Sequence, residues 1–491
     1  MEILIILAFL GIFTYWILQR NVANITRTPV WILWIVIMLP GITWGVWNLV
    51  YGKNTPIPLW LMIIAFIISS IVYGLLIQAG QISSYSQTDN PLENLEDIEN
   101  NLAFTEIKIT PITPGEEVNL RSCFPWNIFY LDKLEYRPEA ILCLGNLRTN
   151  ADSAYATIKQ NIERFFGDRF FIIFQESANG KPFFALVPKQ PQNNSNDEYI
   201  KGILLEIIMM IISLLTATVG GVKLAGLPGN KWDMNLVNIG LPYAISLISI
   251  LGIYEISQYL CAKLYNIKIT LPYFIPFPPF SEWNMGTLGA FVQRRSPFPH
   301  RQALFDFAIV GVITGLILSL FLLFWGLSHS EIVTLSKQSG IFNFNSFNPR
   351  FSLFLSFLSK LALKEELTAK SAINLHPVAM AGYIGFIWTV FKLLPIGRLD
   401  GGQIVHAIFG QRKGMMIGQI TWLLIVIRAF ITPAFLIVVI MLLFIPLTDE
   451  PALNDVSDLN NGRDFLGLGI LAILVSILLP TPESIIRLLQ I

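Results

Sequence analysis

The chain has 491 residues, 54% of them hydrophobic and only 13% charged, with 33 basic and 33 acidic side chains. A soluble globular chain carries about 25% charged residues, so this deficit marks an integral membrane protein. The absence of net charge argues against a nucleic-acid partner, and three cysteines (Cys123, Cys143, Cys261) make neither a disulfide framework nor a paired-cysteine zinc site.

A helix needs about 20 mostly apolar residues to cross the hydrocarbon core. Runs at 2–18, 30–51 and 57–78 meet that length and define an N-terminal three-span region, 1–80. The first run lacks a basic flank and a small-residue cleavage site. It is expected to be a retained span, not a signal peptide.

Residues 81–200 change character, with 17 acidic and 10 basic side chains. "SSYSQTDNPLENLEDIENN" reads as a solvated linker. Strand-like runs follow: "FTEIKIT", "EAILCLG", "RFFIIFQES" and "KPFFALVP". The last two flank Asn179-Gly180, a hairpin signal. "ADSAYATIKQNIERFF" carries apolar residues at helical spacing. Together these predict a small inserted α+β soluble domain.

The remainder, 201–491, holds apolar runs at 203–226, 236–264, 303–326, 377–396, 415–447 and 464–480. The expected fold class is therefore mainly α, a polytopic membrane protein of about nine spans. The run 415–447 contains Arg428 and Pro433 and is expected to form one kinked, tilted helix. The distribution of Lys and Arg places the soluble domain on the cytoplasmic side and the loop "TDEPALNDVSDLNNGRD" on the opposite one. "FSLFLSFLSKLALK" is expected to lie along the membrane interface.

Two stretches carry chemistry. "LGIYEISQYLCAKLYN", 251–266, places Glu255 inside a span, with Tyr254 and Gln258 where an H-E-x-x-H helix has its two histidines. On spacing alone this is not a metal site. "KLLPIGRLDGGQIVHAIFG", 392–410, puts Asp400 before paired glycines. Irregular backbone at membrane depth must be buried in protein or line a wet cavity, and an acid there is costly. Asp400 is either such a functional acid or the anion at the start of a helix.

These stretches together resemble the site-2 protease family of intramembrane zinc metalloproteases, in its cyanobacterial and chloroplast branch. That branch includes the ethylene-dependent gravitropism-deficient and yellow-green proteins of plants. "GTLGAFVQRRSPFPHRQALFDFAIVG", "LHPVAMAGYIGF" and "LFIPLTDEPALND" share the resemblance, as does "SCFPWNIFYLDKLEYRPEAILCLGNLRTN" in the soluble part. It implies that the metal-ligand positions are Tyr254, Gln258 and Asp400, and that Glu255 stands at the position of the catalytic base. Two of the three ligands are replaced. A family Asn is Lys392, a family Gln is Arg398, and a family His after the glycines is Gln403.

The expected protein is thus a catalytically inactive homologue that binds or scaffolds membrane proteins. Its partners would be the lipid bilayer and transmembrane peptides or an active protease. It would carry no cofactor, although the family takes zinc. Lys392 or Arg398 is expected to pair with Glu255 or Asp400 in place of the ion; alternatively, Arg398 snorkels to the interface. The competing reading is an active zinc endopeptidase with rearranged ligands, drawing on His376 or His406; otherwise His406 is a helix histidine near the interface. A third reading, a transporter or channel, would use the buried acids as an ion path. The resemblance implies a multi-pass location in plasma or thylakoid membrane.

Overall fold

The computed structural model describes residues 112, 114–137, 140–177, 180–189, 196–227, 234–277, 285–335, 343–364, 367–368, 371–431, 435–443 and 445–489, together with 29–52 and scattered positions between 11 and 76. Two compact units form, 1–107 and 108–491. In the first, helix α1 (Val30–Tyr51) is long and apolar enough to cross a membrane. The runs 2–18 and 57–78 fall mostly outside the described residues. The linker at 83–101, "FTEIKIT" and Asn179 fall wholly outside them.

The second unit opens with helix α2 (Pro114–Ser122), then β1 (Phe129–Arg137), β2 (Ala140–Leu147), α3 (Ala151–Phe166), β3 (Phe170–Glu176) and β4 (Pro182–Pro188). The strands form one antiparallel sheet in the order β1-β2-β4-β3. Helix α3 starts where Asn150 caps it, its side chain accepting from the Asp152 amide. Ala154, Ile158, Ile162 and Phe166 recur at helical spacing and are all buried. They share a core with Ile141, Cys143, Ile172, Phe174, Phe184 and Leu186, which alternate along the strands. The β3–β4 turn includes Gly180 at φ +73°, where a residue without Cβ sits unstrained.

Mostly helical chain follows. Helices α4 (Asn196–Leu224) and α5 (Met234–Leu264) lead to a hairpin, β5 (Tyr273–Pro276) with β6 (Thr287–Phe291). Then come α6 (Arg301–Leu327), β7 (Glu331–Thr334), α7 (Leu353–Leu363), β8 (Ser371–Asn374) and α8 (Pro377–Lys392). Strands β7 and β8 pair antiparallel. The chain continues through α9 (Asp400–Phe409), α10 (Gln411–Ile431), α11 (Leu436–Leu443), α12 (Asn461–Leu478) and a short α13 (Glu483–Leu489). Among the described residues of this unit, 203–224 in α4, 236–264 in α5, α6 and α12 are long and apolar enough to cross a membrane. Helices α5, α6 and α8 pack on one another, and α9 packs on α6 and α10.

Three expectations are corrected. The run 377–396 is a 16-residue helix ending at Lys392, after which the chain turns. The run 415–447 is not one helix but two, α10 and α11, which pack together. Pro433 falls in the sequence between them, and proline removes a helical hydrogen bond and clashes with the preceding turn. The loop after α11 is not opposite the soluble sheet but joined to it. The Phe174 amide donates to Leu453 O at 2.7 Å, and the Asp455 amide to Phe174 O at 2.8 Å. The same loop pairs with the entry to α6, the Leu453 amide donating to Phe298 O at 2.8 Å and the Asn454 amide to Pro299 O at 3.0 Å. The loop's acids meet basic residues of the helical part, Arg398 with Glu450 and Arg301 with Asp455.

The stretch expected at the interface forms α7, capped by Ser352, whose hydroxyl donates to Ile477 O at 2.8 Å. One face is buried against α6 and α12, while Phe357 and Leu361 stay exposed.

Two outcomes follow from the loop. Cysteines placed at Asp168, in the turn before β3, and at Glu450 in the loop should react with a membrane-impermeant maleimide from the same side of sealed vesicles. His406, between Asp449 and Asp455, is the other readout. Burial alone would lower its pKa, but the two carboxylates reverse this and push it up to about 9. A folded-state pKa above the ordinary 6.5 gives stabilisation that is complete below that value and lost as pH rises through about 9. Thermal unfolding in detergent should therefore shift to lower temperature between pH 7 and 10, and a His406→Gln variant should lack that shift.

Candidate functional site

Helix α5 brings Tyr254, Glu255 and Gln258 to the bundle interior, all at most 2% exposed. Tyr254 and Gln258 lie one turn apart and share a face. Opposite them, α6 presents Gly311 and Gly315, also one turn apart. A Cβ on Gly315 would sit 2.4 Å from Tyr254 Cδ2, and one on Gly311 2.8 Å from Gln258 Nε2. The small residues make room for the two polar side chains.

Asp400 opens α9, where its charge complements the helix N-terminus. The glycines after it have a steric reason. A Cβ on Gly401 would fall 1.8 Å from Leu393 O, because α9 starts against the turn that follows α8. Both oxygens of Asp400 are engaged by the substituted positions. Tyr254 donates its hydroxyl to Oδ2, and Gln258 Nε2 donates to Oδ1 at 3.0 Å.

Lys392, the last residue of α8, completes the group. Its ammonium donates to Glu255 Oε1, lies 3.9 Å from Asp400 Oδ2 and stands 4.1 Å from the centre of the Tyr254 ring. Three helices thus meet in a ring of phenol, amide, ammonium and two carboxylates. Glu255 Oε2 is buried with no hydrogen-bond partner among the described residues. Arg294, just beyond β6, adds a second positive charge that acts on Asp400.

The other candidates lie elsewhere. Arg398 does not join the buried acids; it pairs with Glu450 at 2.7 Å, both side chains about half exposed. Gln403 is buried, its Nε2 3.4 Å from Arg398 O. His376 caps the start of α8, its Nδ1 accepting from the Val378 amide at 3.3 Å. That is the opposite end of the helix from Lys392, roughly 20 Å away at 1.5 Å per residue. His406 is buried at 2% exposure and held by two aspartates.

The residues present do not fit a zinc ion. Zinc sites in proteins are built from imidazole nitrogen, thiolate and carboxylate oxygen in tetrahedral array. Here the facing groups are a phenol, an amide and an ammonium, and both Asp400 oxygens already accept hydrogen bonds. Among the described residues, no three His, Cys, Asp or Glu side chains are placed to hold a metal ion.

Comparison with known proteins places the site in context. The profile for peptidase family M50 matches residues 242–433, and that for the EGY3 middle domain matches 118–195. The chain is 27% identical over 355 residues to a probable zinc metalloprotease EGY1, chloroplastic, of Oryza sativa subsp. japonica, covering 66% of this chain and 60% of the relative. To the Arabidopsis thaliana protein of the same description it is 27% identical over 379 residues, covering 71% and 67%. It is 24% identical over 324 residues to a probable zinc metallopeptidase EGY3, chloroplastic, of Arabidopsis thaliana, covering 62% and 55%. The chain therefore spans a little under two thirds of the length of several of these relatives. No solved structure matches.

Removing one partner of a buried ion pair strands the other charge, at a cost of about 3–5 kcal/mol. Lys392→Met should lower stability by that amount, and adding Glu255→Gln should restore much of it. Chemical or thermal unfolding of the purified variants checks both.

Proposed function

We infer, from a chain that carries a peptidase M50 (site-2 protease) domain and is a homologue of the EGY-type zinc metalloproteases, that this protein is a catalytically silent member which binds or scaffolds other membrane proteins. One observation carries the reading. The Lys392 ammonium sits between Glu255 and Asp400, where two carboxylates of like charge would otherwise repel.

The consequence for catalysis is direct. A general base must reach the proton that it takes. The nearer oxygen of Glu255 is committed to Lys392, and the carboxylate points into the bundle at 1% exposure. Tyr254, Gln258 and Asp400 form a closed hydrogen-bonded set. Such a ring fixes α5, α8 and α9 in register, a structural use of buried ionic groups. The helical frame around it supports recognition of a transmembrane segment without cleavage, in a thylakoid or plasma membrane, with the soluble sheet on the cytoplasmic or equivalent side.

The similarity to probable zinc metalloproteases favours a second reading, an active zinc endopeptidase with rearranged ligands. It needs a histidine at the site, whereas His376 and His406 are engaged elsewhere.

Metal analysis of the purified, detergent-solubilised protein decides between them. The silent reading expects zinc far below one per chain and no chelator-sensitive cleavage of a transmembrane substrate. Stoichiometric zinc, lost in an Asp400→Asn variant together with cleavage, would overturn it.

A further inference from the structure

A second buried ionic cluster lies at the other end of α9. His406 Nδ1 is 3.1 Å from Asp449 Oδ2, and its Nε2 is 3.0 Å from Asp455 Oδ1. Ionised carboxylates only accept, so both ring nitrogens carry hydrogen and the ring is an imidazolium. Asp455 Oδ1 also takes Arg301 Nε, from the first residue of α6, at 3.2 Å. His406, Asp449, Asp455 and Arg301 are each 7% exposed or less.

The loop that supplies both aspartates is gripped from its other side by the soluble sheet. Beyond the two backbone bonds between Phe174 and Leu453–Asp455, Asn454 Nδ2 donates to Asp152 Oδ1 at 3.3 Å and the Ser457 hydroxyl donates to the same oxygen. Gln175 of β3 donates to Gln411, whose own Nε2 donates to Asp449 O at 2.9 Å. One short segment therefore carries an unbroken run of polar contacts from β3 and α3 to α9.

We propose that residues 449–457 are a strap coupling the soluble sheet to α9, so that a displacement of the sheet reaches the Glu255–Lys392–Asp400 centre. Helix α9 has ten residues and is about 15 Å long, too short to bend appreciably. His406 and Asp400 stand near its two ends. A pull on Asp455 is passed to His406 and along the helix to the carboxylate held by Tyr254 and Gln258. The soluble sheet is thereby the input surface of the device, and a partner bound there alters the membrane site without touching it. This coupling is independent of whether the site cleaves anything.

The test is amide hydrogen exchange of the full chain in lipid nanodiscs. Asp152→Ala removes two contacts to the strap and none to α9. It should speed exchange roughly five- to tenfold at 449–457 and also at 400–409, as the loss of one or two net hydrogen bonds would. Faster exchange confined to 449–457 overturns the proposal. Asp152→Ala can also loosen the sheet, so an Asp152→Cys plus Ser457→Cys pair provides the opposite perturbation. Oxidation to the disulfide should slow exchange at 400–409, with reversal on reduction. Unchanged exchange at 400–409 in the oxidised form likewise overturns the proposal.

Discussion

The ammonium of Lys392 is the charge around which the membrane half of the molecule is arranged. Two carboxylates buried within one bundle repel each other and lose their hydration. With Lys392 between them, Glu255 and Asp400 become a bond between helices instead. Everything near the group conforms to that pairing. Tyr254 offers its ring to the ammonium and its hydroxyl to Asp400, and the glycines of α6 withdraw to let the ring in.

Helix α9 is the link between this centre and the rest. Its first turn is pressed against the backbone of the preceding turn, which explains why two glycines follow Asp400. Its last turn is held by aspartates from a loop that also extends the soluble sheet. The hydrogen-bonded β3 edge, the segment 453–455 and the segment 298–300 form one continuous run into the start of α6. The four-stranded sheet is thus built onto the helical part through these backbone bonds, not hung from it on a tether.

Much of this was legible in the sequence, for identifiable reasons. The helix 151–166 and the strands β2, β3 and β4 announce themselves through regular apolar spacing. Strand β1 does not, since Asp132, Lys133 and Glu135 interrupt the alternation on an edge strand that also carries a bulge near Leu131. The pairing of Lys392 with the buried acids could be anticipated because Lys392 sits further inside its apolar run than Arg398. Arg398, two residues from Asp400, was the weaker candidate, and it turns outward to Glu450. His406 was opaque, because its partners lie 43 and 49 residues further on in a loop that the charge rule had placed across the membrane. That rule is statistical; the side of a loop is settled by whether the preceding apolar run crosses once or returns.

The ring of Lys392, Glu255, Asp400, Tyr254 and Gln258 also has a consequence for substitution. Its members hold one another by hydrogen bonds and charge, so a single codon change at Lys392 or at either acid leaves a buried charge without its partner. Exchanging Lys392 alone sets two acids against each other. A histidine in place of Tyr254 alone would set an imidazole beside the Lys392 ammonium. A different chemistry at this site therefore calls for several of these positions to change together, and the present arrangement resists replacement one step at a time.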